Sequence, residues 1–172
     1  VVKPPFVAPL RAKPVSPITV ETLPVKTIRK VGPGHYAFAL KTEVQGGVQL
    51  SLSTTCAKFA DGAQARVILS EQLKADGSIN FPMYTGATFE SNFSLAPGAQ
   101  LEHHEYSNWR FGEIIFTARL TDHPLDVTLD DFNVSAWVAH YPFEAARATT
   151  FTSSSAQLDS VWRLNQNSVK YL

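Results

Sequence analysis

Short segments in which apolar and polar residues alternate recur along most of the chain. The clearest are 48–53 and 132–138, where every second residue is apolar, as expected for strands with one face in water. Turn signals rich in glycine, proline and aspartate separate the segments at 32–34, 46–47, 61–62, 76–77, 97–98 and 122–124. The predicted strands are 18–23, 25–31, 36–43, 48–54, 65–73, 85–95, 101–106, 110–119 and 126–141. This spacing predicts a mainly β fold, an antiparallel β-sandwich.

The two ends of the chain depart from the strand pattern. Residues 1–17 contain prolines at positions 4, 5, 9, 14 and 17, which exclude a helix and predict an extended Pro-rich leader or linker. Near the other end, apolar residues at 158, 161, 162, 169 and 172 fall on one helical face. Ser154 and Gln157 have the spacing of a capping box, so a helix is predicted to begin near Ser155. The predicted divisions are a leader (1–17), a β-sandwich accessory domain (18–152) and a C-terminal α-helix (153–172).

Composition narrows the classes of partner. The 172 residues are enough for a core that needs no metal or disulfide, and 15 basic and 15 acidic residues give a net charge of zero without long runs of either sign. This balance argues against nucleic acid and against an anionic membrane as partners. No apolar run reaches the roughly 20 residues of a membrane span. The sequence does not determine the cellular compartment of the protein, and the periplasm and the extracellular space are the candidates.

Cys56 is the only cysteine, so an internal disulfide and a cysteine zinc cluster are excluded. We expect it to be a small buried apolar residue rather than a nucleophile. No glycine-rich phosphate loop and no Gly-x-Ser-x-Gly motif is present, and no cofactor is predicted.

The densest group of chemically versatile residues begins the stretch 101–120. His103 and His104, between Glu102 and Glu105, could supply metal ligands. Neighbours on a strand point to opposite faces, so only the pairs 102/104 and 103/105 share a face. No third ligand is indicated, and no metal site is predicted.

Aromatic residues follow directly and suggest carbohydrate binding. Tyr106 and Trp109, with Arg110 and His104 beside them, could offer flat rings to a sugar and polar groups to its hydroxyls. The alternative, which the pattern favours, is that Trp109 and Phe111 anchor the beginning of a strand in the core.

Carboxylates that could act as a glycosidase pair are present but not distinctive. Asp126, Asp130 and Asp131 lie near one another in sequence, as do Glu102 and Glu105. Any water-exposed β domain carries such pairs, so no catalytic residue is predicted. Asp130 and Asp131 are expected to precede or turn a long strand.

Four segments, in order, carry a family resemblance. They are 36–40 followed by the glycine pair and strand of 46–52, the hairpin 62–77, the strand start 109–114, and the helix opening 151–162. Together they resemble the bacterial α-L-rhamnosidase family of glycoside hydrolases, in the β-sandwich that precedes its (α/α) barrel. In that family, segment 153–172 would begin the first helix of the barrel.

The resemblance implies a parent protein that hydrolyses terminal rhamnosides by inversion, with both catalytic carboxylates on the barrel. No catalytic position therefore carries over to this sequence. The implied partner is a following helical catalytic domain of the same protein, and the candidate ligand is a rhamnose-containing oligosaccharide. The leading hypothesis is a non-catalytic region of such an enzyme. The alternatives are a stand-alone carbohydrate-binding module and a structural interaction domain without a ligand.

Overall fold

The structure, a computed structural model, describes residues 17–60, 62–118, 123–144 and 149–171. Within these residues the strands are β1 (Thr19–Pro24), β2 (Thr27–Gly32), β3 (His35–Leu52), β4 (Gln64–Ser70), β5 (Phe89–Ser94), β6 (Gln100–Glu102), β7 (Ser107–Thr117) and β8 (Phe132–His140), and the helix is α1 (Ala156–Tyr171). All strand pairs are antiparallel, and the strands join in one sheet that curls into a half-barrel. The predicted mainly β, antiparallel fold with a C-terminal helix is confirmed. Residues 1–16 of the predicted leader lie outside the described residues.

Strand β3 is the centre of the sheet. One of its edges pairs with β6 and then β7, which follow each other along it. Its other edge pairs with β2 over its first half and with β8 over its second half. The turn predicted at 46–47 is therefore wrong. Gly46 pairs with both Ser107 and Val138, so the chain continues straight through the glycine pair as one strand.

Neighbouring backbone approaches the glycine pair too closely for any side chain. A Cβ atom on Gly46 would lie 1.9 Å from the carbonyl oxygen of Trp137, and one on Gly47 would lie 1.8 Å from the carbonyl oxygen of His103. Because both obstacles are backbone atoms, they cannot swing aside as a flexible side chain could. Glycine is required here by close packing rather than by chain reversal.

Aromatic residues from three strands fill the centre of the core. The ring of Phe132 on β8 lies 5.0 Å from that of Tyr36 on β3 and 4.8 Å from that of Phe116 on β7. The Tyr36 hydroxyl donates a hydrogen bond to the carbonyl of Val127, which satisfies the one polar group of this cluster. Burial of each such side chain contributes about 1.5–3 kcal/mol to stability.

Cys56 is buried beside the same core, as predicted, and its burial raises the pKa of its thiol above the ordinary value. Such a thiol is a packing residue rather than a nucleophile.

Helix α1 begins one residue later than the predicted capping box requires. Ser155, not Ser154, is the cap, because its Oγ accepts a hydrogen bond of 3.4 Å from the Leu158 N–H. The carboxylate of Asp159 accepts a hydrogen bond of 2.8 Å from the Ser153 N–H.

The prediction for Asp130 and Asp131 is confirmed, since both lie in the turn that precedes β8.

We predict that Gly47→Ala destabilises the chain by about 3 kcal/mol, because the new Cβ atom must displace backbone at the centre of the sheet. Gly32→Ala is the matched control. The nearest atom to its Cβ would be 4.0 Å away, and its change should stay within about 0.5 kcal/mol. Urea unfolding of both variants measures the difference. Equal midpoints for the two variants would contradict the close approach.

Candidate functional site

Residues 103–106 connect β6 to β7 along one edge of β3, and their backbone lies directly over Gly47. The His103 N–H donates a hydrogen bond of 2.9 Å to the carbonyl of Val48, and the Ser107 N–H donates one of 3.1 Å to that of Glu105. Because Gly47 has no side chain, the backbone of this connection rests against the strand. Its side chains are thereby brought to the outer face of β3 and β8.

Three rings meet on that face, and we call His104, Tyr106 and Trp137 the aromatic face. Trp137 is half-buried and lies opposite Gly47 in the sheet. The centroid of the His104 ring is 6.3 Å from that of Trp137 at 86°, and the Tyr106 ring is 5.5 Å away at 69°. Tyr106 remains 56% exposed, so its ring is available to a ligand.

A row of hydrogen-bonded polar groups borders the aromatic face. Gln49 Oε1 accepts from the hydroxyls of Thr22 and Ser135, at 3.0 and 3.3 Å. Gln49 Nε2 donates to Glu102 Oε2 at 2.8 Å, and Glu102 Oε1 lies 3.2 Å from His104 Nδ1. These contacts fix the rotamers of the row and leave acceptor positions on the carboxylate open to the outside.

The charged groups of the connection are paired rather than gathered around one point. Glu102 faces His104, and His103 Nε2 lies 3.7 Å from Glu105, so the two predicted co-facial pairs are observed. No group of three or more histidine, cysteine or acidic side chains among the described residues could hold a metal ion.

The structure separates the four residues predicted to bind carbohydrate. Tyr106 and His104 are brought together by Trp137. Trp109 is fully buried and meets Phe38 edge to face at 5.9 Å, so its ring cannot stack on a sugar. Arg110 is exposed, with its guanidinium 5.2 Å from the centroid of the Phe111 ring and outside the aromatic face. The interpretation of Trp109 as a core anchor is the one that the structure supports.

Trp137 is the residue that the sequence interpretation missed. In β8 the buried apolar positions 132, 134, 136 and 138 alternate with Asn133, Ser135 and Trp137, of which Ser135 is also buried. Trp137 therefore occupies the polar phase of an alternating strand. An aromatic residue in the polar phase is the signal that could have identified it.

The end of α1 is attached to the sheet through one carboxylate. Glu21 of β1 accepts from Lys170 Nζ at 2.6 Å and from the Tyr171 hydroxyl at 3.3 Å, and His140 Nε2 lies 3.3 Å from it. The rings of Tyr171 and His140 also make a T-shaped contact, with 5.7 Å between their centroids. Burial alone would raise the pKa of Glu21, but the hydrogen bond and charge of Lys170 and the neighbouring His140 hold it below its ordinary value.

The rest of α1 has little contact with the sheet. No residue of the helix is buried. Leu158, Val161 and Val169, which we call the apolar stripe, are 54%, 48% and 69% exposed. Trp162 lies between them on the helix surface and packs on Phe151, with 5.5 Å between the ring centroids. The stripe is a helix face that the described residues do not cover.

We predict that Glu21→Gln loosens the end of α1 while leaving the sheet intact, because Lys170 loses its charged partner. Amide hydrogen exchange should accelerate over 164–171 and stay unchanged in β3. Asp130→Asn, an exposed carboxylate at the other end of β8, is the control. Unchanged exchange in α1 would show that this contact does not hold the helix.

The same attachment should depend on pH in a defined direction. The pKa of Glu21 is lowered in the folded chain, so its contribution is complete above the ordinary value of 4.5 and is lost as pH falls through the folded pKa. The pKa of Lys170 is raised, so its contribution is complete below 10.5 and is lost as pH rises through the folded value. The protection factors of the α1 amides, which remove the intrinsic pH dependence of exchange, should be highest between these limits.

No protein-family model matches the chain, and no curated protein matches it. Solved structures do. An α-L-rhamnosidase from Dictyoglumus thermophilum matches 73% of this chain, with a TM-score of 0.51 and 20% sequence identity. An α-L-rhamnosidase from Streptomyces avermitilis complexed with L-rhamnose matches 85% of this chain, with a TM-score of 0.56 and 19% sequence identity. A rhamnosidase from Klebsiella oxytoca with rhamnose bound matches 91% of this chain, with a TM-score of 0.59 and 10% sequence identity.

These matches show a shared fold, and at this level they confirm the resemblance read from the sequence. The matched region is a small part of each relative, 13% of the first two chains and 36% of the third.

Among the described residues, no helix is long and apolar enough to cross a bilayer.

Proposed function

We propose that this chain is a non-catalytic β domain of an α-L-rhamnosidase-like glycoside hydrolase. Its task is to support a following helical catalytic domain that hydrolyses terminal rhamnosides with inversion. The observation that carries the proposal is the similarity of fold to a region that makes up 13% of two α-L-rhamnosidases. A region of that size leaves room in those proteins for a separate catalytic domain.

The exposed apolar stripe supports a helical neighbour. Covering Leu158, Val161 and Val169 would remove apolar surface from water, at about 25 cal/mol per Å². The stripe follows helical spacing, which suits packing against another helix. The attachment of the helix end through Glu21 would hold the stripe at a defined angle to the sheet.

The distribution of carboxylates supports a non-catalytic role. An inverting glycosidase needs two carboxyl groups about 6.5–9.5 Å apart on either side of the scissile bond. Five surface clefts on the described part of the chain are each lined by one carboxylate at most. The proposal assigns the chemistry to the helical domain, as the family resemblance implies.

The direct test compares the protein encoded by the complete gene with the 172-residue chain alone. The complete product should release 4-nitrophenol from 4-nitrophenyl α-L-rhamnopyranoside, and the chain alone should not. The complete product should also yield β-L-rhamnose first, as inversion requires, which proton NMR detects. Hydrolysis by the chain alone, or a complete product without rhamnosidase activity, would overturn the proposal.

A double variant tests the stripe. We predict that Val161→Glu with Val169→Glu leaves the stability of the isolated chain within about 0.5 kcal/mol, because both side chains are exposed in it. In the complete product the same pair should lower the yield of folded protein, because two charges would be buried without partners. Arg163→Glu places the same side chain on another face of the helix and is the control. Equal yields from the two variants would show that nothing packs on the stripe.

A further inference from the structure

We propose that the aromatic face, His104, Tyr106 and Trp137, is a binding site for one pyranose ring of a neutral saccharide. The site lies on the β domain itself and needs no group from a catalytic domain. It therefore goes beyond the supporting role proposed above, and it stands or falls separately from it.

The rings supply the apolar half of the recognition. Tyr106 is 56% exposed, and Trp137 is half-buried beside it at 5.5 Å. The C–H face of a pyranose packs against an aromatic ring, since both surfaces are flat and apolar. Two rings inclined at 69° form a corner that can contact a face and an edge of one sugar.

The polar row supplies the other half. Glu102 is held by Gln49 Nε2 at 2.8 Å and by His104 Nδ1 at 3.2 Å, with its side chain 30% exposed. A carboxylate in this position still has acceptor capacity for sugar hydroxyls. The combination of flat rings with a few fixed polar groups is what a sugar site requires.

The carboxylates beside both histidines favour a neutral ligand over an anionic one. Glu102 lies 3.2 Å from His104 and Glu105 lies 3.7 Å from His103, so each imidazole already has a carboxylate beside it. A phosphate or a carboxylate ligand would meet no unpaired cation among these residues. Hydroxyl groups, which both donate and accept, match the mixed row of amide, carboxylate and hydroxyl side chains.

The site is also preorganised before any ligand binds. The connection 103–106 is held on the sheet by the hydrogen bond from the His103 N–H to Val48, and it can lie there only because residue 47 is glycine. The Gln49 side chain is held by Thr22 and Ser135. Binding would order few additional side chains, which lowers its entropic cost.

The test uses the chain labelled with ¹⁵N and three probes, methyl α-L-rhamnopyranoside, methyl β-D-glucopyranoside and methyl β-D-galactopyranoside. Of the three tryptophan indole signals, the one assigned to Trp137 by its loss in Trp137→Phe should shift on addition of at least one probe. The signals of buried Trp109 and helical Trp162 should not shift.

Two variants with a matched control locate the site. Tyr106→Ala should weaken binding about tenfold through loss of the stacked ring, whereas Tyr106→Phe should retain the affinity. Tyr84→Ala, which removes a ring that is 81% exposed elsewhere, should leave it unchanged. The dispersion of the amide spectrum checks that each variant is folded.

Three outcomes would overturn the proposal. They are no shift with any probe up to its solubility limit, a shift confined to Trp162, and equal affinities for Tyr106→Ala and Tyr84→Ala. A chain that binds a probe while the complete gene product lacks rhamnosidase activity would sustain this site and reject the enzyme proposal. Activity of the complete product without binding by the chain would do the reverse.

Discussion

The contact on which the rest of the structure depends is the close approach of three backbone segments at Gly46 and Gly47. At this point β3 is flanked by β7 and β8, and the backbone of the connection 103–106 lies over it. A side chain at either glycine would push one of these segments away. The long central strand and the outer aromatic face therefore have the same physical cause.

The glycine pair also shows where reasoning from the sequence succeeds and where it stops. Alternation identified the strands and the fold class, because a sheet with one wet face imposes a period of two. Glycine, however, serves turns and close approaches equally, and only the three-dimensional neighbours of 46–47 decide between them. For the same reason, the fold class could be predicted and the unbroken path of β3 could not.

The candidate site was predictable in part, for a related reason. Tyr106 and His104 stood out because they lie in one dense stretch, but their partner Trp137 is about thirty residues away in sequence and is placed by β8. Trp109 was the more conspicuous residue, yet the alternation of β7 turns it inward. The alternation of side chains along β7 places Trp109 in the core. The same alternation along β8 places Trp137 among the polar positions of that strand.

The apolar stripe and the aromatic face differ in chemistry, which separates the functions proposed for them. The apolar stripe of α1 lacks polar groups that could recognise a small ligand, and it lies on a helix attached mainly at its end. The aromatic face is bordered by fixed hydrogen-bonding groups and rests on the central strand. An exposed apolar face on a helix favours a protein neighbour, because a packed neighbour removes that face from water. Fixed polar groups around rings favour a small polar ligand, because the geometry of the site precedes binding.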